Sequence, residues 1–145
     1  YIALEPYPLQ QLILNEVFEG YDTNLKSSLQ LIHNSSWEFP NQISEWFSFT
    51  RHLTRLQTFN SLKNKKFDLI YFDAFAPNKQ PEMWTLEIFQ KLFILLNPSG
   101  MLTTYCAKGQ VKRNMKEAGF TIKSVKGPPG KREMTLAFKS GLRLI

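Results

Sequence analysis

Hydrophobic positions fall into short blocks whose spacing switches between strand and helix periods. Tyr1-Ile2-Ala3-Leu4 is an apolar run stopped by Pro6 and Pro8, which predicts the end of a buried strand. Leu9, Leu12, Ile13 and Val17 then recur at helical spacing up to Gly20, predicting a helix that buries this stripe. Leu25, Leu29 and Ile32 predict a second helix beginning after Asp22. Residues 34–41 are polar and turn-rich apart from Trp37 and Phe39, and residues 46–50 alternate as a strand does. After Asn60, Lys63-Asn64-Lys65-Lys66 reads as a solvated turn.

Phe67-Asp68-Leu69-Ile70-Tyr71-Phe72-Asp73 is the clearest strand. Its apolar run has an acid near each end, the pattern of a parallel strand covered on both faces. Pro77 and Pro81 keep the following stretch in a loop. Ile88, Phe89, Leu92, Phe93 and Leu96 form a helical stripe closed by Asn97-Pro98-Ser99-Gly100. Residues 101–106 predict a strand, and Val111, Met115 and Ala118 a helix ended by Gly119. Residues 120–125 and 134–138 predict two strands joined through Gly127-Pro128-Pro129-Gly130. Strand, helix, strand, helix and two closing strands describe an α/β sheet with a terminal hairpin. One domain is expected over residues 1–139, with 140–145 as a tail.

Composition agrees with a globular domain: 145 residues, 43% hydrophobic, can bury a sizeable core. No apolar stretch approaches the roughly 20 residues that span a bilayer, and no basic-then-apolar leader is visible, so no membrane association is expected. The lone Cys106 excludes an internal disulfide. With only the separated His33 and His52 beside it, no metal site is expected either. A reducing, cytoplasmic setting follows as the expectation.

Charge changes the picture. The net charge is +6, and from Lys108 onward Lys112, Arg113, Lys116, Lys123, Lys126, Lys131, Arg132, Lys139 and Arg143 are opposed only by Glu117 and Glu133. That asymmetry suits a polyanionic partner such as a phosphate backbone, and equally a solvated basic surface.

Ligands of open parallel sheets collect at the carboxyl ends of strands, where Glu5 and Asp73 stand. A carboxylate at Glu5 can accept two hydrogen bonds from a ribose diol; it can also be a cap or a surface charge. Asp73 opens Asp73-Ala74-Phe75-Ala76-Pro77, an acid followed by a stiff loop with an aromatic ring. Methyl transfer from a sulfonium needs a neutral amine lone pair in line with the methyl carbon. A carboxylate orients the N–H and favours the charge developing on nitrogen, while the Phe75 ring can stack on a flat base for roughly 1–3 kcal/mol. The same residues would also serve as a helix N-cap or loop anchor. Tyr105, Cys106 and Lys108, at the next strand end, can face the same site. For Cys106 no acid or base partner is identifiable, so a small buried strand cysteine is the simpler reading. Lys131 and Arg132 either clamp phosphate or solvate the hairpin.

Five blocks occur in one order: Asp73-Ala-Phe-Ala-Pro-Asn-Lys-Gln-Pro-Glu-Met-Trp84, Thr104-Tyr-Cys-Ala-Lys-Gly109, Lys112-Arg113, Ala118-Gly-Phe120 and Gly127-Pro-Pro-Gly-Lys-Arg-Glu-Met134. Together they closely resemble the MnmC-like methyltransferases, which complete the methylaminomethyl group on the wobble uridine of certain tRNAs. The likeness runs from Glu5 to about Lys139. It implies a Rossmann-like methyltransferase fold, S-adenosyl-L-methionine as cofactor and tRNA as partner. It implies the catalytic acid at Asp73, which also contacts cofactor, and the ribose-binding acid at Glu5. Phe75, Tyr105, Lys108, Lys131 and Arg132 are the expected substrate-binding residues. Pro6 departs from a position that is usually polar, and residues 52–58 hold no counterpart of the acid that contacts adenine.

The resemblance also implies a first strand and Gly-rich loop ahead of Tyr1, so the expected fold lacks both. The strands ending at Glu5 and Asp73 are then expected to re-pair directly, or to form a homo-oligomer through exposed sheet edges. Two other functions fit the residues: a non-catalytic basic RNA-binding or assembly module, and a methyltransferase acting on a small-molecule amine.

Overall fold

Helix ends follow from local chemistry. In the computed structural model, which describes residues 1–60, 65–130 and 132–140, the Asp22 carboxylate accepts the Leu25 amide at 3.0 Å and starts a helix. The chain forms two compact units, Tyr1–Phe59 and Asn60–Ile145.

The first unit contains β1 (Ile2–Leu4), α1 (Gln11–Phe18), α2 (Thr23–His33), β2 (Asn41–Ser44) and β3 (Phe47–His52). β3 is the middle strand, parallel to β1 and antiparallel to β2. Helix α1 corrects the expected face. Leu14 and Phe18, one turn apart, are buried, whereas Leu9, Leu12, Ile13 and Val17 are exposed. The sequence carries apolar residues on two sides of this helix, and periodicity does not say which side meets the core. Strand β2 also escaped the sequence, because its first residue is a turn former. The Asn41 side chain accepts from the Ser36 amide and donates to the Ser36 and Phe39 carbonyls, then the backbone continues into the strand. Trp46, expected in a strand, is the exposed turn between β2 and β3.

The second unit contains β4 (Phe67–Tyr71), a 3-10 turn (Pro81–Trp84), α3 (Leu86–Leu95), β5 (Leu96–Thr104), α4 (Gly109–Glu117), β6 (Thr121–Lys126) and β7 (Glu133–Phe138). The sheet order is β4-β5-β7-β6, with β4 parallel to β5 and the predicted hairpin inserting β7 antiparallel beside β5. β1 and β4 are each the edge strand of their own sheet and take β3 and β5 as neighbours, so the expected direct re-pairing is absent. The solvated turn expected at residues 63–66 falls partly outside the described residues.

The core of this unit is Ile88, Phe89, Leu92 and Leu95 of α3 against Leu96, Leu102, Val111, Met115 and Ala137. Along β5 and β7, Leu102, Thr104, Thr135 and Ala137 are buried, while Met101, Thr103, Leu136 and Phe138 are only partly so. One face of the sheet is therefore better covered than the other among the described residues. β4 shares this asymmetry: Leu69 and Tyr71 are exposed, against the expectation of cover on both faces.

Helix α3 stops at Leu95, so Leu96, expected in the helical stripe, opens β5, and Asn97-Pro98-Ser99-Gly100 lies within that strand and does not itself close the helix. The turn is secured from β7's end, where Lys139 Nζ donates to the Phe93 and Leu96 carbonyls at 2.8 Å each, satisfying acceptors at the helix C-terminus. Helix α4 ends in a Schellman motif. The Gly119 amide donates to the Lys116 carbonyl at 3.0 Å and the Phe120 amide to the Met115 carbonyl at 3.1 Å. Gly119 has φ +105°, and a Cβ there would lie 3.1 Å from the Phe93 ring. Gly119→Ala should therefore cost about 1–2 kcal/mol, read as a lower midpoint in urea unfolding with an unchanged slope.

Candidate active site

The site is built where β4 and β5 end together. Their register pairs Tyr71 with Thr103, and the Phe72 amide adds one more bond to the Thr103 carbonyl at 2.9 Å. Extending both strands by two residues brings Asp73 and Tyr105 to the same end of the sheet. Phe72 is buried, its ring edge-on to Trp84 at 5.1 Å and to Phe89 at 5.7 Å. Asp73 is thus the first exposed residue beyond an anchored one.

Residues 73–80 have no regular structure, yet their polar backbone groups are held. The Tyr105 hydroxyl donates to the Ala74 carbonyl at 2.7 Å, and the Trp84 indole N–H to the Phe75 carbonyl at 2.8 Å. The Phe75 amide donates to Gln80 Oε1 at 3.2 Å, and the Lys79 and Gln80 amides converge on the Ala76 carbonyl. Asn114 of α4 donates its side-chain amide to the Trp84 carbonyl at 2.8 Å. Trp84 is 4% exposed and Phe75 65%, so the loop hides its anchor and presents its ring. The N-cap of α3 is Thr85, which removes the capping role considered for Asp73. Burial, and then the neighbouring Cys106 and Asp73, raise the Tyr105 pKa.

Lys108 is exposed at the N-cap of α4, and Arg132 is exposed just before β7. Lys131 lies outside the described residues. Cys106 is buried; its carbonyl accepts the Thr135 hydroxyl at 2.7 Å and its amide donates to Thr104 Oγ1 at 3.3 Å. Lys112, part of the basic stretch, is turned inward to Glu133 at 2.5 Å and to Ser124 at 2.8 Å, tying α4 to the hairpin. Arg113 is engaged along its own helix by Gln110 Oε1 at 2.7 Å.

In the first unit, the Glu5 amide continues the β1–β3 pairing by donating to the His52 carbonyl at 3.0 Å. Its carboxylate is exposed and accepts the Tyr7 amide at 2.9 Å. Tyr7 is held in turn by Arg55, whose Nη2 donates to the phenol oxygen at 2.8 Å. The sequence reading missed Glu38. This acid meets the end of β3 from outside it, with one oxygen 2.5 Å from His52 Nδ1 and the other accepting the Leu53 amide at 3.0 Å. The His52 hydrogen bond, followed by the Leu53 amide, lowers the Glu38 pKa. An acid supplied from a polar turn fourteen residues earlier leaves no local signal in the sequence.

Exposed, acceptor-only carboxylates at strand ends fit the hydroxyls of a nucleoside cofactor and the N–H of an amine. Among the described residues, no group of His, Cys, Asp and Glu could hold a metal ion. No described helix is long and apolar enough to cross a membrane.

The sequence pattern of the S-adenosyl-L-methionine-dependent methyltransferases matches residues 29–140. The crystal structure of MNMC2 from Aquifex aeolicus is similar over 97% of this chain and 43% of that one, at 20% identity and TM-score 0.73. The chain thus spans less than half the length of that protein. The N-methyltransferase NodS from Bradyrhizobium japonicum WM9 matches over 66% of this chain and 62% of its own, at 16% identity and TM-score 0.47. The likeness to the Aquifex protein shows the Rossmann-like α/β methyltransferase fold expected from the sequence.

The Lys112–Glu133 pair generates a pH prediction. Hydrogen bonds from Lys112 and then Ser124 lower the Glu133 pKa. The pair's stabilisation is therefore present above the unfolded carboxylate's pKa and lost as pH falls through the lowered folded value. Glu133→Gln should flatten the acid limb of a Tm-versus-pH curve and change Tm least at the acid end.

Proposed function

The chain belongs to the S-adenosyl-L-methionine-dependent methyltransferase family, and from that premise we propose that the protein methylates the exocyclic aminomethyl nitrogen of a modified wobble uridine in tRNA. The observation that carries this reading is an exposed carboxylate, Asp73, beyond a parallel strand and beside a hydrogen-bonded loop that presents the Phe75 ring. The motif series from Asp73 to Met134 and the basic C-terminal half support tRNA as the partner.

S-adenosyl-L-methionine is the family's cofactor, and when bound it supplies an electrophilic methyl group on a sulfonium. Glu5 would accept hydrogen bonds from its ribose hydroxyls. Asp73 accepts an N–H of the incoming amine, turns the lone pair toward the methyl carbon and favours the positive charge that builds on nitrogen. The ammonium product then sheds a proton to Asp73 or to water. Phe75 stacks on the pyrimidine, and Tyr105 belongs to the same site. Lys108, Lys131 and Arg132 meet phosphate. A cytoplasmic setting, and pairing of the β1 and β4 edges in a larger assembly, complete the proposal.

Methylation assays of the full-length protein test it. Asp73→Ala should lower kcat by about 100-fold or more on unmodified-amine tRNA. Retained activity would remove Asp73 from the reaction. Equal turnover of the free nucleoside would make the substrate a small amine. Salt-sensitive tRNA binding with no methyl transfer would leave only a binding module.

A further inference from the structure

Resting on that reading of Asp73, we propose that Tyr105 and Trp84 are positioning residues that set the aim of the Asp73 carboxylate and the Phe75 ring. Within the loop, Pro77 and the Gln80 bonds to Phe75 and Ala76 supply some restraint, but Asp73 and Ala74 suit many backbone conformations by themselves. Two side-chain donors outside the loop hold this stretch, one on each of two successive carbonyls. Tyr105 holds the Ala74 carbonyl and Trp84 the Phe75 carbonyl, at 2.7 and 2.8 Å. With the peptide planes on both sides of Phe75 held, its backbone torsions are restricted and with them the direction in which its side chain leaves the loop.

Asp73 is bracketed one peptide further out on each side. On one side the Phe72 amide is bonded to Thr103, and on the other the Ala74 carbonyl is bonded to Tyr105. The carboxylate therefore leaves a short, doubly tethered stretch of chain.

The two donors are themselves packed and hydrogen-bonded. Trp84 is buried against Phe72, Phe89 and Tyr105, and its carbonyl takes the Asn114 side chain. Tyr105 stands on the last turn of chain leaving β5, its ring edge-on to Trp84 at 6.1 Å. Tyr105 thus points to the loop backbone, and its part in the site is to hold Asp73 and Phe75 in place.

Removing only the hydroxyl separates aim from stability, because the ring remains packed and water can reach the released carbonyl. In the full-length protein, Tyr105→Phe should lower kcat by about 10- to 100-fold while each KM stays within about twofold. Hydrogen exchange of the 145-residue chain gives a second readout: the Phe75 and Gln80 amides should exchange at least about tenfold faster in Tyr105→Phe, with the amides of β5 and α4 unchanged. Trp84→Phe should speed the same amides; if it fails to fold, Tyr105→Phe alone decides. An unchanged kcat in Tyr105→Phe, beside an inactive Asp73→Ala, would overturn the positioning role and leave Asp73's role standing. An active Asp73→Ala would instead sink the proposed function, and unchanged exchange at Phe75 and Gln80 would then overturn the clamp independently.

Discussion

A buried indole N–H must find an acceptor, and in the second unit that necessity shapes the candidate site. Trp84 is driven inward by the apolar surface it shares with Phe72 and Phe89. Leaving its N–H unpaired there would cost about 1–3 kcal/mol. The Phe75 carbonyl meets the need, and in doing so stops the loop from relaxing onto the surface. A packing requirement is thereby converted into a fixed display of polar and aromatic groups.

The parallel pairing of β4 and β5 supplies the other half of the arrangement. Because the strands run the same way, both discharge their chains at one end of the sheet, and the Tyr71–Thr103 register brings Asp73 and Tyr105 together there. Lys139 and the Schellman turn at Gly119 do the corresponding work on the helices: each secures the end of one of the two helices packed on this sheet. Their cost or loss is felt as stability, whereas the bonds to Ala74 and Phe75 are felt as direction.

Much of the second unit was legible in the sequence. Its strand and helix periods are clean, Gly119 marks a helix end, and the Gly-Pro-Pro-Gly turn announces a hairpin. The first unit was less so. Apolar residues on two sides of α1 made the buried face ambiguous, Asn41 disguised the start of β2 as a turn, and Trp46 looked like a strand residue while forming the turn. Coverage of β4 was misjudged for a related reason: an apolar strand states what it can bury, and its neighbours decide what it does bury. At the site, the exposed acid and ring were visible as a motif. The anchoring bonds were not, because Gln80 and Trp84 hold Phe75, and Asn114 holds Trp84, through side-chain bonds that no periodicity encodes.

A structure of the full-length protein with S-adenosylhomocysteine and an aminomethyluridine substrate would test the central claim most directly. The Asp73 carboxylate should lie about 2.6–3.2 Å from the acceptor nitrogen, with the Phe75 carbonyl still bonded to Trp84. A carboxylate turned to another partner, with the nitrogen held elsewhere, would contradict the account.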